Sequence, residues 1–428
     1  MSTLAMLGGP RAVPRDVGET GWPVITRADE EAVLRVLRGG VLTATAPGEP
    51  EVAGLEEEWA RYVGAAHCAA VGSGTAALQL ALAALGVGPG DEVVVPAVSM
   101  NATALAVAQQ GATPVFADID PRTFCLDPAA AAAVTGPRTA ALLPVHLHGL
   151  PADMAELGRL AARRGLAVVE DAAQAHGARY RGTRTGALGD AGCFSLHPSK
   201  NLPTCGEGGL VTTSSADVDR AVRRLRTFGE RLDQERTRSY VAHAVGWNHK
   251  LSPVQAAMAR VQLAAMDDHA RRREAGIREL LDRLGRLPGL RPPHVPSDRT
   301  HVWHILRVRI VPEELGIDGV PAGAVRRALH RVLRAEGVPV SRYQEVPLPD
   351  QPAFTAKGTG GDAARDPASF PVARAVLDDS LCLQRRHLNP GSAPALRAYA
   401  DGFAKVWEHL DVVGRMARSL ASSRGGAA

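Results

Sequence analysis

The sequence predicts an α/β protein with a mostly parallel central sheet flanked by helices and a smaller C-terminal α+β domain. Two observations carry this. Between about Leu55 and Thr213, short apolar runs alternate with stretches of helical periodicity, the pattern of strands joined by crossover helices. After Pro253 the pattern changes to one long helical stretch followed by a mixture of strand-like and helical segments. A chain of 428 residues also exceeds what one core usually serves, so two units are expected.

In chain order, Gly8-Gly9-Pro10 and Trp22-Pro23 mark an extended arm that leads into a helix from Arg27 to Arg38. A second helix carries Glu56, Glu57 and Glu58, read as a solvated face. Cys68 to Val71 is the first strand, and Gly72-Ser73-Gly74-Thr75 opens a helix over Ala76 to Leu85. Strands follow at Glu92 to Pro96, Pro114 to Ala117, Ala140 to Val145, Leu166 to Asp171, Gly192 to Leu196 and Gly209 to Thr213, with helices over Asn101 to Gln110 and Asp153 to Arg164. The long helix spans Pro253 to Leu287. Beyond it come a strand over His304 to Val311, a helix over Ala322 to Glu336 and a final helix from Ala393 to Arg418. Thr355 to Ala368 reads as a mobile loop. The expected organisation is an arm (1–30), a large domain (31–265), a small domain (266–418) and a flexible tail (419–428).

Composition excludes several classes. Apolar residues at 45% and charged residues at 22% are ordinary for a globular chain. The net charge of +4 is small, and local groups such as Arg271-Arg272-Arg273 fall in helical stretches where a solvated face accounts for them, so no nucleic-acid partner is expected. Five scattered cysteines, with no Cys-x-x-Cys pair, fit a reducing compartment. The N-terminus lacks a basic region and a long apolar run, and no stretch approaches a membrane span, so the expected location is the cytoplasm, without a membrane partner. His146 and His148 alternate like metal ligands but lack a third, and no metal is expected.

Three features bear on chemistry. Ser73-Gly74-Thr75 joins a strand to a helix N-terminus, where free N–H groups and the helix dipole favour a phosphate. Asp171 ends an apolar strand, at the edge where open parallel sheets bind ligands. Lys200 follows the next strand and precedes Gly206-Glu207-Gly208-Gly209; Schiff-base chemistry needs such a lysine to shed its proton near neutrality. A phosphate turn, a strand-end carboxylate that pairs with a pyridine nitrogen and a loop lysine, in that order on one sheet edge, match the needs of pyridoxal phosphate.

With these residues the chain resembles the DegT/StrS family of sugar and aminocyclitol aminotransferases, which have the aspartate aminotransferase type of fold, fold type I. The resemblance is specific from about Gly39 to Asp268 and looser to about Leu410. It implies that pyridoxal 5'-phosphate is attached to Lys200, the catalytic residue, and that Ser73, Gly74, Thr75 and Ser195 bind its phosphate. In Glu170-Asp171-Ala172-Ala173-Gln174, it implies that Asp171 holds the pyridine nitrogen and Gln174 lies against one ring face. In Gly246-Trp247-Asn248-His249-Lys250, Asn248 would reach the phosphate of the neighbouring subunit, implying a homodimer with shared active sites. The partners implied are an amino-acid donor, glutamine or glutamate, and a keto sugar or keto cyclitol acceptor.

The sequence departs from the family at Met100, where an aromatic usually stacks on the cofactor. A methionine thioether still contacts a ring favourably, by ~1 kcal/mol. In the Tyr343 to Pro352 segment Pro349 replaces a frequent histidine. Phe370 to Ala373 and Leu381 to Leu388 align better with the aminocyclitol branch, although that branch typically carries paired histidines near Gln384-Arg385. Competing readings are a lyase, dehydratase or epimerase using the same cofactor, and a non-catalytic regulator that binds it. Lys200 argues against the dehydratases that carry histidine there. A nicotinamide fingerprint fails because Gly86-Val87-Gly88-Pro89-Gly90 follows a helix instead of a strand.

Overall fold

The computed structural model describes residues 3–17, 21–46, 48–231, 240–355 and 368–422. Twelve strands are found among them. Those of the central sheet are β1 (His67–Val71), β2 (Glu92–Pro96), β3 (Thr113–Ala117), β4 (Thr139–Leu142) and β5 (Ala167–Asp171), followed, after the small hairpin β6 (Arg179–Tyr180) and β7 (Thr183–Arg184), by β8 (Ala191–Ser195) and β9 (Gly209–Thr213). Their order is β1-β9-β8-β5-β4-β2-β3. The pairs β2–β3, β2–β4, β4–β5 and β5–β8 are parallel, whereas β9 runs antiparallel to both its neighbours, β1 and β8. Because β9 reverses the direction twice, β1 points the same way as β8. The carboxyl ends of β1, β2, β5 and β8 therefore share one edge with the amino end of β9, and it is this edge that collects the chemistry.

The strands are continuous apolar runs because both faces are covered: Val93, Val94, Val95, Leu142 and Val169 are completely buried. Helix Gly74–Ala84 packs on the sheet, contributing Leu80 and Leu82 with no exposed surface, each worth about 2 kcal/mol of burial. Its start is set by Ser73, whose backbone is extended and whose side-chain oxygen accepts the Ala76 N–H at 3.1 Å.

A second apolar cluster surrounds an antiparallel sheet of β10 (Leu290–Arg291), β11 (Ile305–Ile310) and β12 (Ser380–Gln384). Helices Ala322–Ala335, Ala393–Trp407 and Leu410–Ser422 cover it. Leu4 and Val13, from the expected arm, are buried in this cluster, and buried Glu336 accepts the N–H groups of Ala5 (2.6 Å) and Ala12 (2.9 Å). The first half of the arm is thus fastened by charge and apolar burial. Helix Pro253–Leu284 runs from the large unit into the small one without a break, so no linker occurs near residue 265.

The final helix expected over Ala393 to Arg418 is two helices that meet at Glu408-His409, and the break lets Val406, Val413 and Ala417 all be buried. The second continues to Ser422, so the chain is still helical where a flexible tail was expected to begin; residues 423–428 lie outside the described set. So does most of the expected mobile loop, 356–367.

Candidate functional site

At the carboxyl edge, Gly74 approaches Ser195 at the end of β8 so closely that a Cβ on Gly74 would stand 2.7 Å from the Ser195 Cβ. Gly209 is packed as tightly on the other side, where a Cβ would lie 2.3 Å from the Ser73 carbonyl oxygen. Ser73, Gly74 and Thr75 at the helix start are thereby brought against Ser195, whose Oγ accepts the His197 N–H at 3.3 Å. Free N–H groups at the head of an eleven-residue helix, with a serine beside them and no room for further side chains, form an anion cradle.

Asp171 ends β5 and is buried. Its carboxylate accepts Thr103 Oγ1–H at 2.7 Å and the Ala173 N–H at 3.2 Å, and Thr103 Oγ1 accepts in turn from Ser99 at 2.8 Å. No ion pair reaches it among the described residues. Burial pushes its pKa up, against the Thr103 and Ala173 hydrogen bonds and the charges of Lys200 and His146. Such a carboxylate, furnished with donors but lacking a bound cation, suits a cationic N–H.

Lys200 stands in the loop after β8, with its N–H donated to the His197 carbonyl and its own carbonyl accepting the Trp22 indole N–H at 3.1 Å. Burial pulls the amine's pKa down, opposed by the charges of Asp171 and Glu207. The result is an amine that deprotonates more readily than a surface lysine, as a nucleophile or proton carrier must.

Gln174 is buried three residues beyond Asp171. Its Oε1 accepts the His148 N–H at 2.7 Å, and its Nε2 faces the Tyr343 hydroxyl at 3.4 Å. His148 Nε2 in turn accepts from Arg307 Nε at 3.0 Å, and Arg307 also donates to Ser380 (2.8 Å) and to Gln344 (3.0 Å). Burial, then the charges of Arg307 and His301, hold His148 well below the usual histidine range, so it is the neutral acceptor this network requires. The small unit thus holds Gln174 in place through Tyr343 and Arg307.

Met100 lies at the same edge beyond β2, half exposed, with its sulfur 3.0 Å from the Ala102 nitrogen. Among the described residues, no side-chain bond joins Asn248 to the other predicted residues. It is exposed, pairs with Thr227 through the backbone and accepts from Lys250. The flanking backbone does touch the cradle strand: the Gly72 N–H donates to the His249 carbonyl at 2.7 Å. His146 serves structure, with Nε2 2.8 Å from Glu170 and Nδ1 accepting the Ala152 N–H at 3.0 Å. Glu170 also accepts the N–H groups of Gly186, Leu188 and Gly189.

Thr103, Tyr343, His148 and Arg307 are site residues that sequence reasoning did not assign. Thr103 carried a signal: it sits one helical turn from Ser99 on the segment that leaves β2, the strand next but one to β5. His148 stood out only as a partner of His146 and Tyr343 only as the start of the Tyr343 to Pro352 segment, while Arg307 gave no signal.

The model of the DegT/DnrJ/EryC1/StrS aminotransferase family matches residues 23–390. The L-glutamine:2-deoxy-scyllo-inosose aminotransferase of Streptomyces lividus is 39% identical over 431 residues, covering 95% of this chain and 98% of its own. A crystal structure of S. venezuelae DesV, solved in complex with a ketimine intermediate, superposes with a TM-score of 0.78 at 38% identity, covering 89% of this chain and 94% of its own. NtdA from Bacillus subtilis, solved with bound cofactor PMP, gives a TM-score of 0.73 at 26% identity, covering 91% and 83%. The chain belongs to the DegT/DnrJ/EryC1/StrS family and is a pyridoxal-phosphate-dependent aminotransferase.

Proposed function

We propose that this aminotransferase moves an amino group from glutamine or glutamate onto a keto cyclitol or keto sugar in amino-sugar, aminocyclitol or natural-product biosynthesis, as a cytoplasmic homodimer with shared active sites. The observation that carries the reading is the meeting of the Gly74–Ser195 cradle, the uncompensated carboxylate of Asp171 and the amine of Lys200 on one sheet edge. The donor and the cyclitol-type acceptor are supported by the S. lividus relative, which matches nearly end to end. The five cysteines are free and four are buried, in keeping with a reducing compartment.

The cofactor supplies a carbonyl for amine exchange and a cationic ring that withdraws electrons from the donor's Cα. Ser73, Gly74, Thr75 and Ser195 would hold its phosphate, where the absence of a Cβ on Gly74 leaves the backbone accessible. Asp171, anchored by Thr103, would face the ring N–H and keep it protonated. Gln174 would cover one ring face in the position set by His148 and Tyr343, and Met100 would lie at the site's mouth. Lys200 Nζ would remove the proton from the donor Cα and return one to the acceptor carbon in the second half of the cycle. Asn248, exposed and held at the edge of its own subunit, would complete the phosphate site of the partner.

The test is purification with cofactor followed by turnover. The protein should absorb at ~410–430 nm. Glutamate should yield 2-oxoglutarate in proportion to aminated product, with scyllo-inosose-type ketones and nucleotide-linked keto sugars compared as acceptors. Lys200→Ala should lose both the band and turnover. A wild-type protein that stays colourless, or one that forms product without consuming the donor, would overturn the reading.

A further inference from the structure

Helix Ala322–Ala335 carries four arginines and a histidine and not one carboxylate. Arg326 stands in its first half, toward the positive end of the helix dipole, so the dipole does not account for it. Arg326, His330 and Arg334 follow one another at intervals of four and share one side of the helix. Arg326 is 1% exposed: its Nε donates to the Asp378 carbonyl at 2.7 Å, while its Nη1 has no acceptor. The one carboxylate within ion-pair reach among the described residues, that of exposed Asp378, stands 4.0 Å from Nη2.

A further arginine comes from the segment that returns beside this helix. The Val338 N–H donates to the Leu333 carbonyl at 2.9 Å and the His330 ring is bonded to the Val340 backbone, which brings Arg342 to the same side. The carboxylate of Arg342 is that of Glu345, 3.5 Å away and 72% exposed; Arg334 has none among the described residues. Burial, then the charge of Arg342, holds Arg326 down to about 10, with Asp378 and Glu345 acting the other way. Burial, then Arg334, Arg326 and Arg342, pulls His330 down. Elsewhere buried cations are closely paired: Lys405 meets Glu336, and Arg226 meets Glu56. Here three guanidinium groups, opposed by two exposed carboxylates, keep an excess of positive charge and an unspent donor.

We propose that Arg326, Arg334 and Arg342, grouped around His330, bind a phosphate dianion, free or as the phosphate group of a small metabolite. Guanidinium forks pair two donors with two phosphate oxygens, and a dianion matches the surplus charge. Glu345 competes with the anion for Arg342 and swings away when it binds, as its exposure allows. The site belongs to the small unit, apart from the Ser73 turn, yet it borders the network around Gln174. Arg342 is followed by Tyr343, whose hydroxyl faces Gln174 at 3.4 Å, and by Gln344, which donates to the Ser99 carbonyl and accepts from Arg307 at 3.0 Å. An anion held on Arg342 therefore steadies the segment that positions Gln174.

Calorimetric titration of holoenzyme, in which the cofactor's own phosphate fills the Ser73 turn, tests this. Inorganic phosphate and glycerol phosphate are titrated separately, with ionic strength held constant by sodium chloride. Saturable binding of one anion per chain is expected. Arg342→Gln should weaken it about tenfold, equivalent to about 1.4 kcal/mol, and Glu345→Gln, which removes the competing carboxylate, should tighten it about threefold. Both positions are exposed, so neither substitution threatens the fold. Tighter binding of inorganic phosphate supports the site as one for the free ion, and tighter binding of the ester supports it as one for a phosphorylated metabolite. No saturable uptake by wild type overturns the proposal. So does uptake that neither substitution changes, which would put the anion elsewhere on the chain.

Discussion

Thr103 offers the sharpest test of how the protein tunes the cofactor. Its Oγ1–H donates to Asp171 at 2.7 Å, the shorter of the two hydrogen bonds found on that carboxylate, and both residues are buried. Thr103→Val preserves shape but removes the donor, leaving the Ala173 N–H at 3.2 Å. A hydrogen bond to a charged group contributes about 1.5–3 kcal/mol, so a loss of about 2 kcal/mol, roughly thirtyfold in cofactor affinity, is expected. Burial already raises the Asp171 pKa and the Thr103 bond is the largest influence holding it down, so the valine variant raises it further. Binding needs the ionised carboxylate; affinity is therefore lost as pH falls, and in the variant that loss begins at a higher pH. Titration of cofactor-free protein with pyridoxal phosphate at several pH values, read at ~410–430 nm, measures both effects. Thr103→Ser should restore both. Equal affinity and an unmoved acid limb in Thr103→Val would refute the argument, as would a serine variant as weak as valine.

Other outcomes follow from the same geometry. Gly74→Ala places a Cβ 2.7 Å from that of buried Ser195 and should weaken cofactor binding by about tenfold or more, seen in the same titration; wild-type affinity would show that the cradle is looser than drawn. If Asn248 completes the partner's site, mixing Lys200→Ala with Asn248→Ala subunits regenerates one intact site per mixed dimer. Random mixing of two inactive variants then recovers about a quarter of wild-type turnover; no recovery after verified subunit exchange would place each site within one chain. Acid should destabilise the protein. Burial holds His176 and His301 down to about 3, so between that pH and about 6.5 the unfolded chain binds more protons than the folded one, and stability falls with pH by up to about 2.7 kcal/mol per unit for the pair. A melting temperature unchanged between pH 7 and pH 5 would contradict this.

The parts of the fold legible in the sequence were those with local causes. The strands of the large unit announced themselves as short apolar runs because both their faces are buried, and the Ser73 turn did so through its helix cap. The reversed direction of β9 was not legible, since a strand buried on both faces reads the same in either direction. Nor was β12, whose Ser380–Gln384 looked like a motif without a period, because its register is set by pairing with β11, about seventy residues earlier in the chain.

The same distinction runs through the site. Lys200, Asp171 and Ser73 lie at ends of elements, and their meaning follows from which end of a parallel strand they occupy. Arg385, Arg273 and Trp22 are separated by more than a hundred residues at each step and acquire meaning only when the small unit and the N-terminal segment close on Asn201. In the sequence, Arg273 was one basic residue in a helical run read as a solvated face; in the fold it is 3% exposed. The cofactor end of the site is built by one contiguous sheet edge, whereas the residues that hold Gln174 and the Lys200-Asn201 loop arrive from the small unit and the arm. The residues expected to set the reaction type are therefore written locally, while what surrounds them depends on packing between distant segments.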